Sequence, residues 1–151
     1  MNEKTDVTEW IRGINIPAAL ISYTYRALQK KFQAGLRHYN LGWGHFSILM
    51  ILLDQEGLRQ DEIALSRGFD KTMIAKSVIR LEEENLVYRI TDPDDRRIRR
   101  LYLTEAGKRA GPEIRRIGFD ISDRLFKDFT HDESQALLEY LRRIALNASE
   151  L

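Results

Sequence analysis

The stretch DEIALSRGFDKTMIAKSVIRLEEENLVYRITDPDDRRIRRLYL, residues 61–103, decides the fold. Its pattern reads as helix, turn, helix, strand, charged loop, strand. Ile63, Ala64 and Leu65 lie in the first helix, which Gly68 ends. Asp70 caps the second with its carboxylate. Ile74, Val78 and Leu81 recur at spacings of four and three, one apolar stripe at helical period. Thr72, Lys76, Ile79 and Glu83 then point the opposite way, flanked by Ala75 and Arg80. Asn85 suits a left-handed C-cap. Residues 87–91 read as a strand, and residues 92–97 as a turn outside the core. Residues 99–103 return as a second strand, with Leu101 and Leu103 on one face and Tyr102 on the other.

A helix that is apolar inside and short, polar and basic outside suits a DNA major groove. Arg96 and Arg97 sit at the hairpin tip, with Arg99 and Arg100 just behind. Such a tip reaches phosphates or an adjacent minor groove. The combination is a winged helix-turn-helix, and the fold class expected is mainly α with a two-stranded β wing and long flanking dimerisation helices.

Three blocks make a family resemblance specific. They are Leu81-Glu82-Glu83-Glu84-Asn85-Leu86-Val87, then Asp92-Pro93-Asp94-Asp95-Arg96-Arg97, then Leu103-Thr104-Glu105-Ala106-Gly107. In order and spacing the chain resembles the MarR family of transcriptional regulators over nearly its whole length. Two positions depart from that pattern: Asn85 stands where the family usually has Gly, and Arg59 where it often has Ser or Thr. Asn preserves a left-handed cap, whereas Arg59 removes a usual N-cap from its helix.

The resemblance implies a homodimeric, ligand-responsive repressor that binds a pseudo-palindromic operator in double-stranded DNA, with no catalytic step and no cofactor. The recognition-helix contacts would be Lys71, Thr72, Ala75, Lys76, Ile79 and Arg80. The wing contacts would be Asp95, Arg96, Arg97 and Arg99, with Asp95 orienting the Arg97 guanidinium through a charge-assisted bond. The plain alternative for that loop is a solvated turn with weak surface ion pairs. The resemblance also implies a small aromatic or anionic effector, with Arg26 and Trp43 lining its cleft. From another class comes the rival reading, a winged-helix module whose outer helix binds a protein. Ile79 leaves both open: it suits a thymine methyl or a neighbouring helix.

Composition bounds these readings. A chain of 151 residues is one domain by length, here about 42–104 for the winged part and about 10–40 with 105–151 for helical dimerisation. The net charge is only +1, so DNA binding must come from local basic clusters. With no Cys, disulfides and thiol-based redox sensing are excluded. No apolar run spans a bilayer, and Glu3, Asp6 and Glu9 replace a signal-peptide pattern, so the expected address is cytoplasmic, with no membrane partner. Phosphate-loop, nucleophile-elbow and zincin motifs are missing. The wing acids lack calcium-loop spacing, and His38 with His45 lacks a ligand motif, so no metal is expected.

The flanks complete the picture. Residues 1–15 are polar with a frayed start, and Trp10 and Ile11 dock on a partner or on the first helix. Residues 16–39 read as one helix opened by Pro17. The apolar run 46–53 has strand length, but the winged context argues for a buried helix. Thr104 caps a further helix, which Gly111 and Pro112 should kink or restart. Ile114, Ile117, Ile121, Leu125 and Phe129 form a stripe in need of a partner surface. Thr130 with Glu133 forms a capping box for the last helix, whose stripe of Leu137, Leu141, Ile144 and Ala148 joins the dimer surface.

Overall fold

Two distant pieces of sequence meet at the Leu86 carbonyl. It accepts the Thr104 N–H at 3.0 Å. The Thr104 hydroxyl donates to the Asn85 carbonyl at 2.6 Å and accepts the Gly107 N–H at 3.0 Å. A Cβ on Gly107 would stand 2.1 Å from the Leu86 oxygen, so only glycine lets the helix start this close. Asn85 itself has φ 55°, the left-handed turn expected of it.

The computed structural model describes residues 3–150. In chain order it has α1 (Glu3–Gly13), α2 (Pro17–Gly35), a 3-10 turn (Arg37–Tyr39), α3 (Trp43–Asp54), β1 (Leu58–Arg59) and α4 (Gln60–Arg67). Then follow α5 (Lys71–Glu83), β2 (Val87–Thr91), β3 (Arg99–Leu103), α6 (Glu105–Leu125) and α7 (His131–Ser149). The chain forms two compact units, one ending at Gly118 and one beginning at Phe119.

The first unit holds the helix-turn-helix and its sheet. Gly68 closes α4 at φ 62°, and Asp70 accepts the Met73 N–H at 2.9 Å to start α5. Ile74, Val78 and Leu81 face inward at 0% exposure, beside Ile48, Leu49, Ile63 and Leu101. Burying each such side chain contributes about 1.5–3 kcal/mol. The run 46–53 is helical, as α3, with both faces largely covered. Val87 pairs with Leu103 facing the core, and Tyr88 pairs with Tyr102 facing outward.

Several expectations are corrected here. The wing sheet has three strands, in the order β1-β3-β2, because Leu58 and Arg59 pair antiparallel with Leu101 and Arg100. Two residues are too few to show a strand period, so this pairing had no signature. Arg59 starts α4 without a side-chain cap; instead Glu62 accepts the Arg59 N–H at 2.7 Å. The N-terminal segment holds a helix, Glu3–Gly13, and Trp10 packs on Tyr23 of α2 with ring centroids 5.6 Å apart; the expected frayed start at Met1 and Asn2 lies outside the described residues. The helix expected over 16–39 ends at Gly35, where a Cβ would meet Ile117 at 2.9 Å, and a separate 3-10 turn follows. No restart occurs at Gly111: α6 runs through Pro112 without a break. Gly111 lies against Leu53, its missing Cβ 2.6 Å from the Leu53 side chain, while Pro112 faces solvent. Packing of Gly111 on Leu53 holds the turn that the ring leaves one hydrogen bond short.

In the second unit, Thr130 and Glu133 form the expected capping box, with bonds of 2.8 Å and 3.3 Å to each other's backbone N–H. Phe126 and Phe129 meet edge to face at 5.6 Å. No residue of α7 is buried within the chain.

Candidate nucleic-acid interface

The outer side of α5 presents Lys71, Thr72, Lys76 and Ile79 to solvent, with Ile79 49% exposed. The cause is rotational: the same helix commits Ile74, Val78 and Leu81 to the core. Ala75 lies half-buried at the edge of that face. Arg80 is half-buried too and already paired, at 2.9 Å to Glu83 and 2.6 Å to Glu84. Its charge is therefore largely satisfied on its own helix, unlike those of Lys71 and Lys76.

On the wing, Asp95, Arg96, Arg97 and Arg99 are all exposed. The expected Asp95 grip on the Arg97 guanidinium is not what the geometry gives. Asp95 accepts the Arg97 backbone N–H at 2.9 Å, an Asx-type turn that shapes the loop and leaves the guanidinium to solvent. Four arginines against three aspartates over residues 92–100 leave the wing slightly cationic on a chain of near-zero net charge.

The residue that organises this loop is Asp92, which the sequence placed in a turn outside the core. The residue is only 7% exposed. It accepts the N–H groups of Asp94 and Asp95 at 2.9 and 3.3 Å and the Arg100 Nε–H at 2.5 Å. Arg100 also donates to the Gly57 carbonyl at 2.9 Å, tying the wing to the chain before β1. The Arg100 bond, helped by the Asp94 N–H, holds the Asp92 carboxyl below its ordinary pKa, and Arg100 is raised in turn. An Asp opening a turn, followed by Pro93, was the available signal for an Asx turn; the partner in the adjacent strand carried none.

Also in the first unit, a cleft of about 450 Å³ lies between α2, the start of α3 and α5. Trp43 lines it, and Arg26 does not: its guanidinium donates to Ser22 Oγ at 2.6 Å on the exposed side of α2. Also on the wall is His45, whose Nδ1 accepts the Gly42 N–H at 3.0 Å. Burial first, then the positive charge of Arg80, lowers its pKa. His38 contacts Glu113 at 3.5 Å, so the two histidines serve separate structural contacts. Among the described residues, no three His, Cys, Asp or Glu side chains are grouped to hold a metal ion.

The expected dimer stripe divides. Ile114 is 0% and Ile117 8% exposed, inside the core of the first unit, so neither is available to a partner. Their helical spacing had suggested an open stripe because the elements that cover them were invisible in sequence. Ile121 and Leu137 are half-buried, while Leu125, Phe129 and Leu141 are 44, 46 and 40% exposed.

Comparison with known proteins agrees with this architecture. The MarR family model matches residues 41–98, which span α3 through the wing loop. The transcriptional regulator SarZ of Staphylococcus epidermidis is 30% identical over 115 residues, 75% of each chain. The crystal structure of MarR aligns with TM-score 0.77 and 33% identity over 90% of this chain and 93% of that one. The transcriptional repressor CouR, solved bound to a 23-mer DNA duplex, aligns with TM-score 0.76 and 26% identity over 86% of this chain and 92% of its own. With the helix-turn-helix, the wing and these relatives in agreement, the chain belongs to the MarR family of transcriptional regulators.

Proposed function

We propose that this protein is a sequence-specific DNA-binding transcriptional regulator, a ligand-responsive repressor acting as a homodimer on a pseudo-palindromic operator. One observation carries the reading: α5 buries Ile74, Val78 and Leu81 completely while Thr72, Lys76 and Ile79 stand free on the opposite face. A helix anchored on one side can enter a major groove with the other. Lys71, Thr72, Ala75, Lys76 and Ile79 then read or approach bases. Arg96, Arg97 and Arg99 meet the backbone or the neighbouring minor groove. Asp95 contributes by shaping the loop, and Arg80 by bracing the helix. The likeness to CouR, which was solved bound to a DNA duplex, supports the DNA-binding reading.

The helical parts, residues about 10–40 and 105–151, hold the dimer, and residues about 42–104 bind DNA. Exposed Leu125, Phe129 and Leu141, with an α7 in which no residue is fully buried, support a partner surface there. The cleft beside Trp43 is the effector site in this reading. The protein acts in the cytoplasm, with its DNA, and without a catalytic step; among the described residues no helix is long and apolar enough to cross a membrane.

Selection of a preferred duplex from a random pool, followed by a salt titration, tests the function. Contacts to several phosphates make affinity fall steeply with salt. Failure to enrich any duplex, with no salt-dependent binding, replaces this reading with a protein-interaction module.

A further inference from the structure

From Trp10 to Leu53 the chain has no Asp or Glu and five Lys or Arg, so the other residues together are net acidic. Four of the five, Arg26, Lys30, Lys31 and Arg37, lie on α2 or in the 3-10 turn after it, and all four are exposed. Elsewhere many cations have acidic partners: Arg59 has Glu62, Arg89 has Glu82, Arg100 has Asp92 and Arg115 has Asp54. Among the described residues no ion pair includes Arg37 or a residue of α2. Ser22, Arg26, Lys30 and Gln33 recur at four, four and three residues, so they form one exposed stripe. Lys31 is turned about 100° away from Lys30, onto the other flank. The stripe runs beside the recognition helix. Gln33 lines a cleft with Met73 and Ser77 of α5, and an adjoining cleft joins those two residues to Thr72 and Lys76. Further along, Asn40 donates to Glu84 at 3.3 Å.

We infer that the α2 stripe is a further DNA contact, in which Arg26 and Lys30, with Ser22 and Gln33, hold phosphates of the duplex whose groove α5 enters. The inference rests on the DNA-binding reading above. A major groove is about 12 Å wide and walled by phosphates on both sides, so a duplex that admits α5 carries one phosphate wall toward α2. All four side chains of the stripe are of types that donate to phosphate oxygens. Arg26 spends one guanidinium N–H on Ser22 and keeps the others free. Arg26 and Lys30 stand at i and i+4, where like charges oppose the helix. A phosphate strand laid along them removes that repulsion. It also meets cations on the side of α5 where the chain has no acid in sequence to repel it. Such contacts fix how the protein lies on the duplex and carry no base preference.

Fluorescence anisotropy of the full chain on its selected duplex, read across salt concentration, tests this. Arg26→Gln and Lys30→Gln should each lower the salt slope by about 0.9 for every subunit bound, and weaken binding about tenfold or more at about 0.1 M salt. Lys31→Gln removes the same charge from the other flank and should leave the slope unchanged. The order of preference among duplexes should be the same in all three. The three positions are exposed, and an unchanged thermal midpoint shows that the fold is kept. Slopes unmoved by Arg26→Gln and Lys30→Gln overturn the inference. So does an equal fall in Lys31→Gln, which marks a diffuse field instead of a contact, or a changed order of duplexes, which marks base reading. Duplex binding by the parent with unmoved slopes overturns the α2 contact alone and leaves the DNA-binding reading standing. No duplex binding by the parent overturns both.

Discussion

The Asp92 carboxylate accepts the Arg100 Nε–H at 2.5 Å, joining the loop that follows β2 to the neighbouring strand β3. The same carboxylate holds the Asp94 and Asp95 N–H groups, so one side chain sets both the base and the bend of the wing. Asp92→Ala should free those two amides and raise their hydrogen-exchange rates while the exchange of α5 stays unchanged. The pH dependence has a definite sign. Because its folded pKa is depressed, Asp92 contributes stability above its unfolded value of about 3.9. That contribution is lost as pH falls through the folded value. Wing protection that survives Asp92→Ala unchanged would remove Asp92 from this role.

Lys76 and Arg97 should fail differently. Lys76→Ala on the outer face of α5 should cost about 1–3 kcal/mol and relax preference at particular bases. Arg97→Ala should weaken all duplexes together and reduce the salt slope. Asp95 binds the Arg97 backbone rather than its guanidinium, so Asp95→Ala should act through loop shape. A double-mutant cycle checks this: Arg97→Ala should leave most of the Asp95→Ala effect in place.

Ile114 and Leu125 share α6 but differ in exposure, 0% against 44%. Ile114→Ala should lower the stability of the first unit by about 2–5 kcal/mol, seen in chemical denaturation. Leu125→Asp should instead lower the dimer association constant in sedimentation, since it places an unpaired charge in an apolar surface. Sedimentation of the unaltered protein as a monomer at micromolar concentration would refute the dimer.

Gly107→Ala should be severely destabilising. The added methyl group would stand 2.1 Å from the Leu86 carbonyl oxygen, which is backbone and cannot swing aside. Overpacking of a core costs about 1–3 kcal/mol even where side chains can adjust. A thermal midpoint within a degree of the parent would show that the start of α6 can retreat.

His45 should make the first unit acid-sensitive. Its folded pKa lies below the unfolded value of about 6.5, because burial and Arg80 disfavour the cation. As pH falls from that value through the folded one, the unfolded chain takes up the proton first and stability drops. Protonating Nδ1 also breaks the bond from the Gly42 N–H. Denaturation midpoints across this range should slope for the parent and flatten for His45→Gln.

The sequence by itself determined the elements whose causes are local and periodic. The spacing of Ile74, Val78 and Leu81 fixed which side of α5 faces inward, and hence which side faces out. Asp70, Asn85 and Thr104 announced their caps, since a cap needs only its own neighbours in the chain. Alternation placed β2 and β3 at the residues where they stand. Features that depend on residues brought together from afar emerged only on folding. Leu58 and Arg59 became a strand because β3 offered an edge more than forty positions on. Asp92 left the solvated loop because Arg100 and two amides could satisfy its charge. Ile114 was drawn from an open stripe into the core, and α6 passed Pro112 because Gly111 lies flat against Leu53. The cleft took Trp43 and excluded Arg26 for the same kind of reason. Neighbours in space, not spacing in the chain, set what lines a cavity.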